Sequence, residues 1–219
     1  MSTRLGTSRL WVEYSCDGMY HPRPNVNNGR YFRKRMAASD ALERIVFCDH
    51  YPDVHYISAI DAESLDGVLS ADLPCLNGPG GPPDNRVLFV GNRRSGTHMH
   101  YDLPDNVVLV LEGSKRFILF PPEQTDDLAP YATHHYCSNF SSLTDRDLVS
   151  RATACADSIT LTVQRGEMIY IPSCWWHRVT NDGFSVSLTN LWPVSKRRRE
   201  MPSYRRYADA LARHGTGDL

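Results

Sequence analysis

Three residues with metal-binding side chains lie at alternate positions in the run GTHMHYDLPDN, residues 96–106. They are His98, His100 and Asp102. Alternate residues of a β-strand point to the same face, so a strand here would present two imidazoles and a carboxylate together. Such a face is unsuited to a hydrophobic core and suited to a metal ion. Because the chain has nine histidines, one His-x-Asp match is weak evidence by itself.

A third candidate ligand lies far downstream, in the segment GEMIYIPSCWWHRV, residues 166–179. There Pro172 ends an apolar strand, and His177 follows two tryptophans. If the strands close into a barrel, His177 can face His100 and Asp102 across its interior. Two imidazoles and one carboxylate on one side of a metal leave coordination positions open, which suits Fe(II) with a bidentate cosubstrate and dioxygen.

Composition bounds the classes of protein to which the chain can belong. A length of 219 residues is enough for one domain with a substantial core. The net charge of −1 creates no global field that would attract nucleic acid or an anionic membrane. We find no apolar run long enough to span a bilayer and no apolar segment typical of a secretory signal. The six cysteines lack C-x-x-C spacing, which favours reduced thiols and a cytoplasmic location.

The elements that would position these ligands are mostly strands. After a glycine- and proline-rich loop at 76–85, short segments rich in β-branched and aromatic residues alternate with turn signals. Eight segments read as strands: 86–91, 97–102, 106–113, 115–122, 158–164, 167–172, 175–181 and 184–193. With one longer insert at 123–157, this pattern predicts a jelly roll or small barrel.

The two ends of the chain differ from this β-rich part. The spacing of apolar residues predicts a helix over 33–45, a strand over 54–60 and a short helix over 61–69 opened by an aspartate cap. We therefore predict a single domain over 1–219, made of a small α/β part at 1–75, a jelly-roll core at 86–193 and a C-terminal helix at 195–214.

The stretch from Leu88 to Trp192 resembles the Jumonji-C branch of the cupin superfamily, the iron- and 2-oxoglutarate-dependent oxygenases. The shared motifs are T-x-x-H-x-D-x-x-x-N at 97–106, G-x-K-R-x-x-L-F-P-P at 113–122, G-[DE]-x-x-Y-I-P-x-x-W-W-H at 166–177 and N-x-W at 190–192. The resemblance implies a double-stranded β-helix, also called a jelly roll or cupin fold. It also implies a hydroxylase that uses Fe(II), 2-oxoglutarate and O2 and releases succinate and CO2.

The resemblance also implies roles for individual residues. The metal ligands and catalytic centre would be His100, Asp102 and His177. The site for 2-oxoglutarate and the surroundings of the iron would include Tyr56, Thr97, Asn106, Lys115, Asn190 and Trp192. Lys115 would bind the far carboxylate, and it points inward only if Phe117 and Leu119 share its face. Lysine is rare in this chain, with three among 24 basic residues. A lysine at position 115 therefore favours a functional role for its compact charge over an ordinary surface position.

Alternatives remain at several residues. His98 and His100 could together replace the His-x-Asp pair, as in cupins that do not use 2-oxoglutarate, although the spacing to Thr97, Asn106 and Lys115 favours the other register. A non-catalytic binding module is a second alternative. His134 and His135 are interpreted as polar loop residues. Phe140 falls near the position where the related asparaginyl hydroxylases carry a glutamine, which argues against asparagine hydroxylation.

The partners are the least determined part of the prediction. We expect the substrate to be a peptide side chain, an amino acid or a small molecule, with tRNA or protein hydroxylation or demethylation as the alternative. The basic run at 196–199 is interpreted as a solvated helix start, with an RNA contact as the alternative. We expect no membrane partner. A homodimer of moderate strength through the C-terminal helix would cover the apolar stripe formed by Tyr204, Tyr207, Ala208 and Leu211.

Overall fold

A computed structural model describes residues 8–20, 31–65, 73–78, 81–135, 137–194 and 198–214. The strands of these residues are β1 Arg9–Ser15, β2 Met19–Tyr20, β3 Tyr31–Ala37, β4 Val54–Asp61, β5 Asn85–Gly91, β6 Gly96–Tyr101, β7 Asp105–Glu112, β8 Ser114–Phe120, β9 Ile159–Gln164, β10 Met168–Ile171, β11 Trp176–Asn181 and β12 Ser185–Trp192. The α-helices are α1 Ala38–Val46, α2 Asp145–Ala154 and α3 Pro202–His214, and short 3-10 turns are found at Cys48–His50, Glu63–Leu65, Pro122–Gln124 and Arg198–Glu200.

The strands form two sheets that face each other. One has seven strands in the order β10-β7-β12-β5-β4-β1-β3, and the other has five in the order β2-β6-β11-β8-β9. A buried cluster fills the space between them, with Val108 and Val110 from the first sheet against Phe117 and Leu119 from the second. This antiparallel two-sheet arrangement confirms the predicted jelly roll.

Helices cover the outer faces of both sheets. The α1 helix packs Ala41, Leu42 and Ile45 onto the outer face of the seven-stranded sheet. On the other side, the segment between β8 and β9 joins α3 in covering Met99, Tyr101, Ile118 and Trp176 on the outer face of the five-stranded sheet. The strands β6, β8 and β11 of that sheet therefore each have one face toward the barrel interior and one toward a second core.

The structure corrects two predicted helices. Residues 33–37 belong to β3, because each residue from Tyr31 to Ala37 pairs with a residue of β1, and this pairing outweighs local helix propensity. Of the helix predicted at 61–69, the described part is a 3-10 turn in which the Asp61 side chain accepts from the backbone of Glu63. Residues 66–69 lie outside the described part of the chain.

The insert between β8 and β9 contains a helix that the sequence analysis did not identify. Thr144 and Asp147 form a reciprocal capping box at the start of α2. The pattern of a threonine followed three residues later by an acid is a known helix-start signal, so this helix could have been predicted.

The C-terminal helix packs against its own barrel. Tyr207 and Ala210 of α3 are buried in the core that contains Tyr101 and Trp176, and Tyr101 donates its hydroxyl hydrogen to the backbone of Ser203 at 3.1 Å. The apolar stripe of this helix is therefore at least partly covered within one chain, and the homodimer stays a prediction. Among the helices of the described residues, none is long and apolar enough to cross a membrane.

We expect Tyr207→Ala to lower the free energy of unfolding by about 3 kcal/mol, because it removes a buried aromatic ring that makes an edge-on contact with Tyr101. Urea denaturation followed by fluorescence measures this change. Asp209→Ala, at an exposed position of the same helix, should change stability by at most about 0.5 kcal/mol. Equal midpoints for the two variants would contradict the packing of α3 on the barrel.

Candidate metal centre

The two histidines of the predicted triad lie opposite each other on neighbouring strands. His100 of β6 and His177 of β11 are paired across the antiparallel ladder, with ring centroids 4.2 Å apart. Asp102 follows directly after β6, with its carboxylate oxygens 3.8 Å from His100 Nε2 and 3.6 Å from His177 Nε2. The three ligand atoms lie within 4.8 Å of one another, so one metal ion can contact all three.

Backbone carbonyls determine which ring nitrogens are free to bind. His100 Nδ1 lies 2.8 Å from the carbonyl of His98, and His177 Nδ1 lies 3.0 Å from the carbonyl of Trp175. A carbonyl only accepts hydrogen bonds, so each Nδ1 carries a proton, and in the neutral ring Nε2 is then the nitrogen with the lone pair. Both lone pairs then point toward the space beside Asp102, the tautomer that metal binding requires.

The segment that carries Asp102 is held by the turn before β11. The backbone N–H of Cys174 donates to the carbonyl of Asp102 at 2.8 Å, which its left-handed conformation at φ 64° makes possible. The hydroxyl of Ser173 donates to the carbonyl of Leu103 at 2.6 Å. Asn106, predicted to lie beside the ligands, donates its side-chain amide to Asp102 Oδ2 at 2.8 Å. Two hydrogen bonds therefore hold the backbone around Asp102, and one orients its carboxylate.

The electrostatics of the triad favour the metal-binding protonation states. Burial, aided by the neighbouring His177, lowers the pKa of His100 to about 4. Burial alone would raise the pKa of Asp102, but His100, His177 and the amide of Asn106 outweigh it and hold that pKa below its usual value. At neutral pH the site offers a neutral imidazole and a carboxylate from these residues. With His177 this nitrogen and oxygen donor set fits Fe(II).

A β-bulge changes the strand alternation that the sequence analysis assumed. In the ladder between β6 and β11, His100 pairs with His177 but Thr97 pairs with Val179, so β6 contains one extra residue. Thr97 and His100 therefore both face the interior. His98 turns to the outer side, where its Nδ1 lies 3.5 Å from Asp145. The expectation that His98 shares the face of His100 and Asp102 is wrong.

Lys115 points into the barrel, as the predicted condition requires. Phe117 and Leu119 share its face and belong to the core between the sheets. The Lys115 side chain is 1% exposed, and its ammonium donates to Asn181 Oδ1 at 2.7 Å. Among the described residues no carboxylate pairs with it. Burial lowers its pKa to about 7, as expected for an amine without a counter-charge.

Two hydroxyl groups lie on the same side of the interior as this lysine. The Tyr56 ring centroid is 6.0 Å from Lys115 Nζ, and the Tyr56 hydroxyl is hydrogen-bonded to the Thr97 side chain. Burial raises the pKa of Tyr56, so the phenol keeps its proton and can donate to an anion. The predicted residues Tyr56, Thr97 and Lys115 are therefore neighbours inside the barrel, and their role in binding a carboxylate stays a prediction.

The residues that support Lys115 were missed by the sequence analysis. Asn181 accepts from both Lys115 and Ser185, and its amide donates to Ser95 Oγ at 2.8 Å. Gly91 lies against this network, since a Cβ there would lie 2.4 Å from Asn181 Nδ2 and 2.9 Å from the Tyr56 ring. The sequence analysis places residue 181 only at the end of a predicted strand, and the inward direction of Asn181 becomes visible only in the pairing of β11 with β8.

Other predicted residues have contacts away from the triad. Asn190 is buried and donates to the carbonyl of Val107 at 3.4 Å, and its role beside the iron stays a prediction. The indole N–H of Trp192 donates to the carbonyl of Gly81, so its ring packs on the loop before β5 instead of lining the lysine site.

The insert contributes one ring to the site. Phe140 stacks on His100 with centroids 4.9 Å apart and buries that face of the imidazole. His134 is exposed, and His135 stacks on Tyr131 and accepts from the backbone of Cys137, in agreement with the interpretation of both as loop residues.

Three curated relatives show which proteins this chain is similar to. It is 31% identical over 124 residues to the lysine-specific demethylase JMJ31 of Arabidopsis thaliana, 30% over 95 residues to the human tRNA wybutosine-synthesizing protein 5, and 28% over 112 residues to the human 2-oxoglutarate and iron-dependent oxygenase JMJD4. These matches cover 53%, 42% and 50% of this chain.

The same matches cover 22%, 29% and 27% of the three relatives, so the chain corresponds to less than a third of each protein. The family model described as a cupin-like domain matches residues 17–196, which include β6, β11 and the whole candidate metal centre. The jelly roll, its inward-facing triad and this match together establish that the chain belongs to the cupin-like domain family.

Proposed function

We propose that the protein is an Fe(II)- and 2-oxoglutarate-dependent oxygenase. The observation that supports this most is the presence, in one barrel, of a His-Asp-His triad and a buried lysine that, among the described residues, donates a hydrogen bond to a neutral amide and pairs with no carboxylate. A triad alone suits many metal enzymes. A cationic position beside it favours a cosubstrate with a keto-acid end for the metal and a second carboxylate for the lysine. The related human protein JMJD4 is named as a 2-oxoglutarate and iron-dependent oxygenase.

The chain's own residues would divide the work as follows. His100, Asp102 and His177 hold the iron, and Asn106 orients the carboxylate of Asp102. Lys115, Thr97 and Tyr56 bind the far carboxylate of 2-oxoglutarate. Bound iron and cosubstrate would supply dioxygen activation, with succinate and CO2 as coproducts of substrate oxidation. The protein orients the reactants and excludes water, and no side-chain general base is required.

The substrate belongs to the proposal as a class only. We propose hydroxylation of an unactivated C–H of a peptide side chain, amino acid or small molecule, in the cytoplasm. The names of the relatives include demethylases and tRNA-modifying proteins, so protein demethylation or tRNA hydroxylation is the alternative within the same chemistry. A cupin that binds metal through His98 and does not use 2-oxoglutarate is disfavoured, because His98 faces Asp145 on the outer side of the sheet.

The ligand triad gives the first test of this function. We expect His100→Ala, Asp102→Ala and His177→Ala each to lose Fe(II) binding, because two remaining protein ligands hold the ion too weakly. Iron content after dialysis and succinate formed from 2-oxoglutarate under oxygen measure the two losses. His134→Ala, an exposed histidine outside the triad, is the matched control and should behave as the wild type. Stoichiometric iron in a triad variant would assign the metal to other residues.

Lys115 gives the second test. Lys115→Ala should raise the 2-oxoglutarate concentration needed for half-maximal succinate formation at least about tenfold, since an unpaired carboxylate in a closed site costs about 2–5 kcal/mol. Lys115→Arg should also fail, because the guanidinium is larger and planar. Arg116→Ala, the exposed neighbour on the opposite face of β8, is the control. Unchanged 2-oxoglutarate dependence in both Lys115 variants would place the carboxylate elsewhere.

The same lysine should destabilise the protein when no anion is bound. Burial lowers its pKa from 10.5 to about 7, so below pH 7 the folded state carries a desolvated charge, and above pH 10.5 the amine is neutral in both states. We therefore expect the free energy of unfolding of Lys115→Met near pH 7 to exceed that of the wild type by about 1–4 kcal/mol. Urea denaturation measures this difference. The difference should shrink as pH rises toward 10.5. A less stable Lys115→Met would show that the amine has a compensating partner.

A further inference from the structure

The bulge in β6 decides which side chains reach the metal. Two residues of β6, His98 and Met99, lie opposite the single residue Arg178 of β11. Both turn away from the interior: Met99 packs in the outer core, and His98 approaches Asp145. Without the extra residue, strict alternation would turn His98 inward beside His100 and turn Thr97 outward.

One carboxylate joins the two strands at this position. Asp145, the first residue of α2, accepts from Arg178 Nε at 2.9 Å and from Arg178 Nη2 at 2.7 Å. The same carboxylate lies 3.5 Å from His98 Nδ1. The His98 and Arg178 side chains are 9% and 13% exposed, so water has little access to form the hydrogen bonds that Asp145 provides. Asp145 therefore contacts both sides of the bulge, with a bidentate geometry that favours one arrangement.

The position of Asp145 is itself determined by α2. Thr144 and Asp147 cap the helix, and Leu148 is fully buried in the outer core. The carboxylate therefore reaches β6 and β11 from a separate element, and its contact with His98 is lost if the part of β6 before His100 loses the extra residue. That change would bring His98 toward the metal beside His100.

We propose that Asp145 selects the ligand register of β6. By holding His98 on the outer face it keeps Thr97 inside and excludes His98 from the metal. Asp145 is thus a positioning residue that acts through His98 and Arg178 and does not touch the reacting groups. The inference rests on the metal and 2-oxoglutarate sites of the proposed function.

The test counts imidazole ligands in the full-length protein loaded with Cu(II) as a probe. Nitrogen couplings in the electron paramagnetic resonance spectrum should show two imidazoles in the wild type and a third in about nine tenths or more of the Asp145→Ala molecules. In the same variant 2-oxoglutarate affinity, measured by calorimetry with the Fe(II) protein under anaerobic conditions, should fall at least about tenfold, because Thr97 leaves the interior. The double variant Asp145→Ala/His98→Ala should lose the third nitrogen.

Asp147→Ala is the matched control, since it weakens the cap of the same helix without touching His98 or Arg178. If Asp147→Ala shows the same third nitrogen, the effect comes from loosening α2 and the proposal is overturned. A third nitrogen that persists in the double variant also overturns it. Should Asp145→Ala fail to fold, Asp145→Asn, which keeps the shape and removes the charge, decides the question. Two nitrogens and native 2-oxoglutarate affinity in the folded variant overturn the proposal.

These outcomes separate the inference from the proposed activity. A wild-type protein that binds Cu(II) through two imidazoles but forms no succinate would refute the oxygenase function and leave the register selection standing. A wild type with a different ligand count would refute both.

Discussion

The antiparallel pairing of His100 with His177 is the constraint on which the site depends. Two ligands on neighbouring strands inherit their spacing from the backbone ladder, so their rings are 4.2 Å apart before any metal arrives. The carbonyls that fix both tautomers belong to His98 and Trp175, near the ligands in the chain. Only Asp102 lies beyond the ladder, and hydrogen bonds from Asn106 and Cys174 hold it in place. The rigidity of the sheet therefore becomes preorganisation of the ligands.

The same barrel holds a charge that its packing does not favour. Lys115 lies on the inner face of β8 beside Phe117 and Leu119, and its hydrogen bond to Asn181 supplies no counter-charge. The burial of apolar side chains around it must offset the cost of desolvating the amine. The same desolvation lowers the pKa of Lys115. Asn181 serves this arrangement by directing one acceptor to the lysine while Ser95 and Ser185 fix the amide plane. Close packing at Gly91 leaves no room for that network to relax.

Much of this arrangement can be predicted from the sequence, because it follows from period-two patterns. Alternation predicts the eight strands after residue 85, and barrel closure allows His177 to meet His100 and Asp102. The choice of these three ligands and the inward direction of Lys115 are implied by the family resemblance. Alternation fails where the backbone departs from it. The bulge at His98 adds one residue without a composition signal, and residues 33–37 become a strand only because β1 is available to pair with them. Contacts between distant segments decide both cases.

The bulge also decides which of two candidate ligand pairs in the segment THMHYD, residues 97–102, faces the barrel interior. His98 and His100 offer one ligand pair, and His100 and Asp102 offer another, with the same spacing of two residues. Imidazole and carboxylate both suit Fe(II), so the type of donor alone does not distinguish the two pairs. The difference lies on the outer face, where Asp145 and Arg178 accommodate one histidine and Met99 packs against Trp176. Packing on both faces determines the register of a strand that has a core on each side. Residues remote from the metal therefore take part in defining the ligands of the metal.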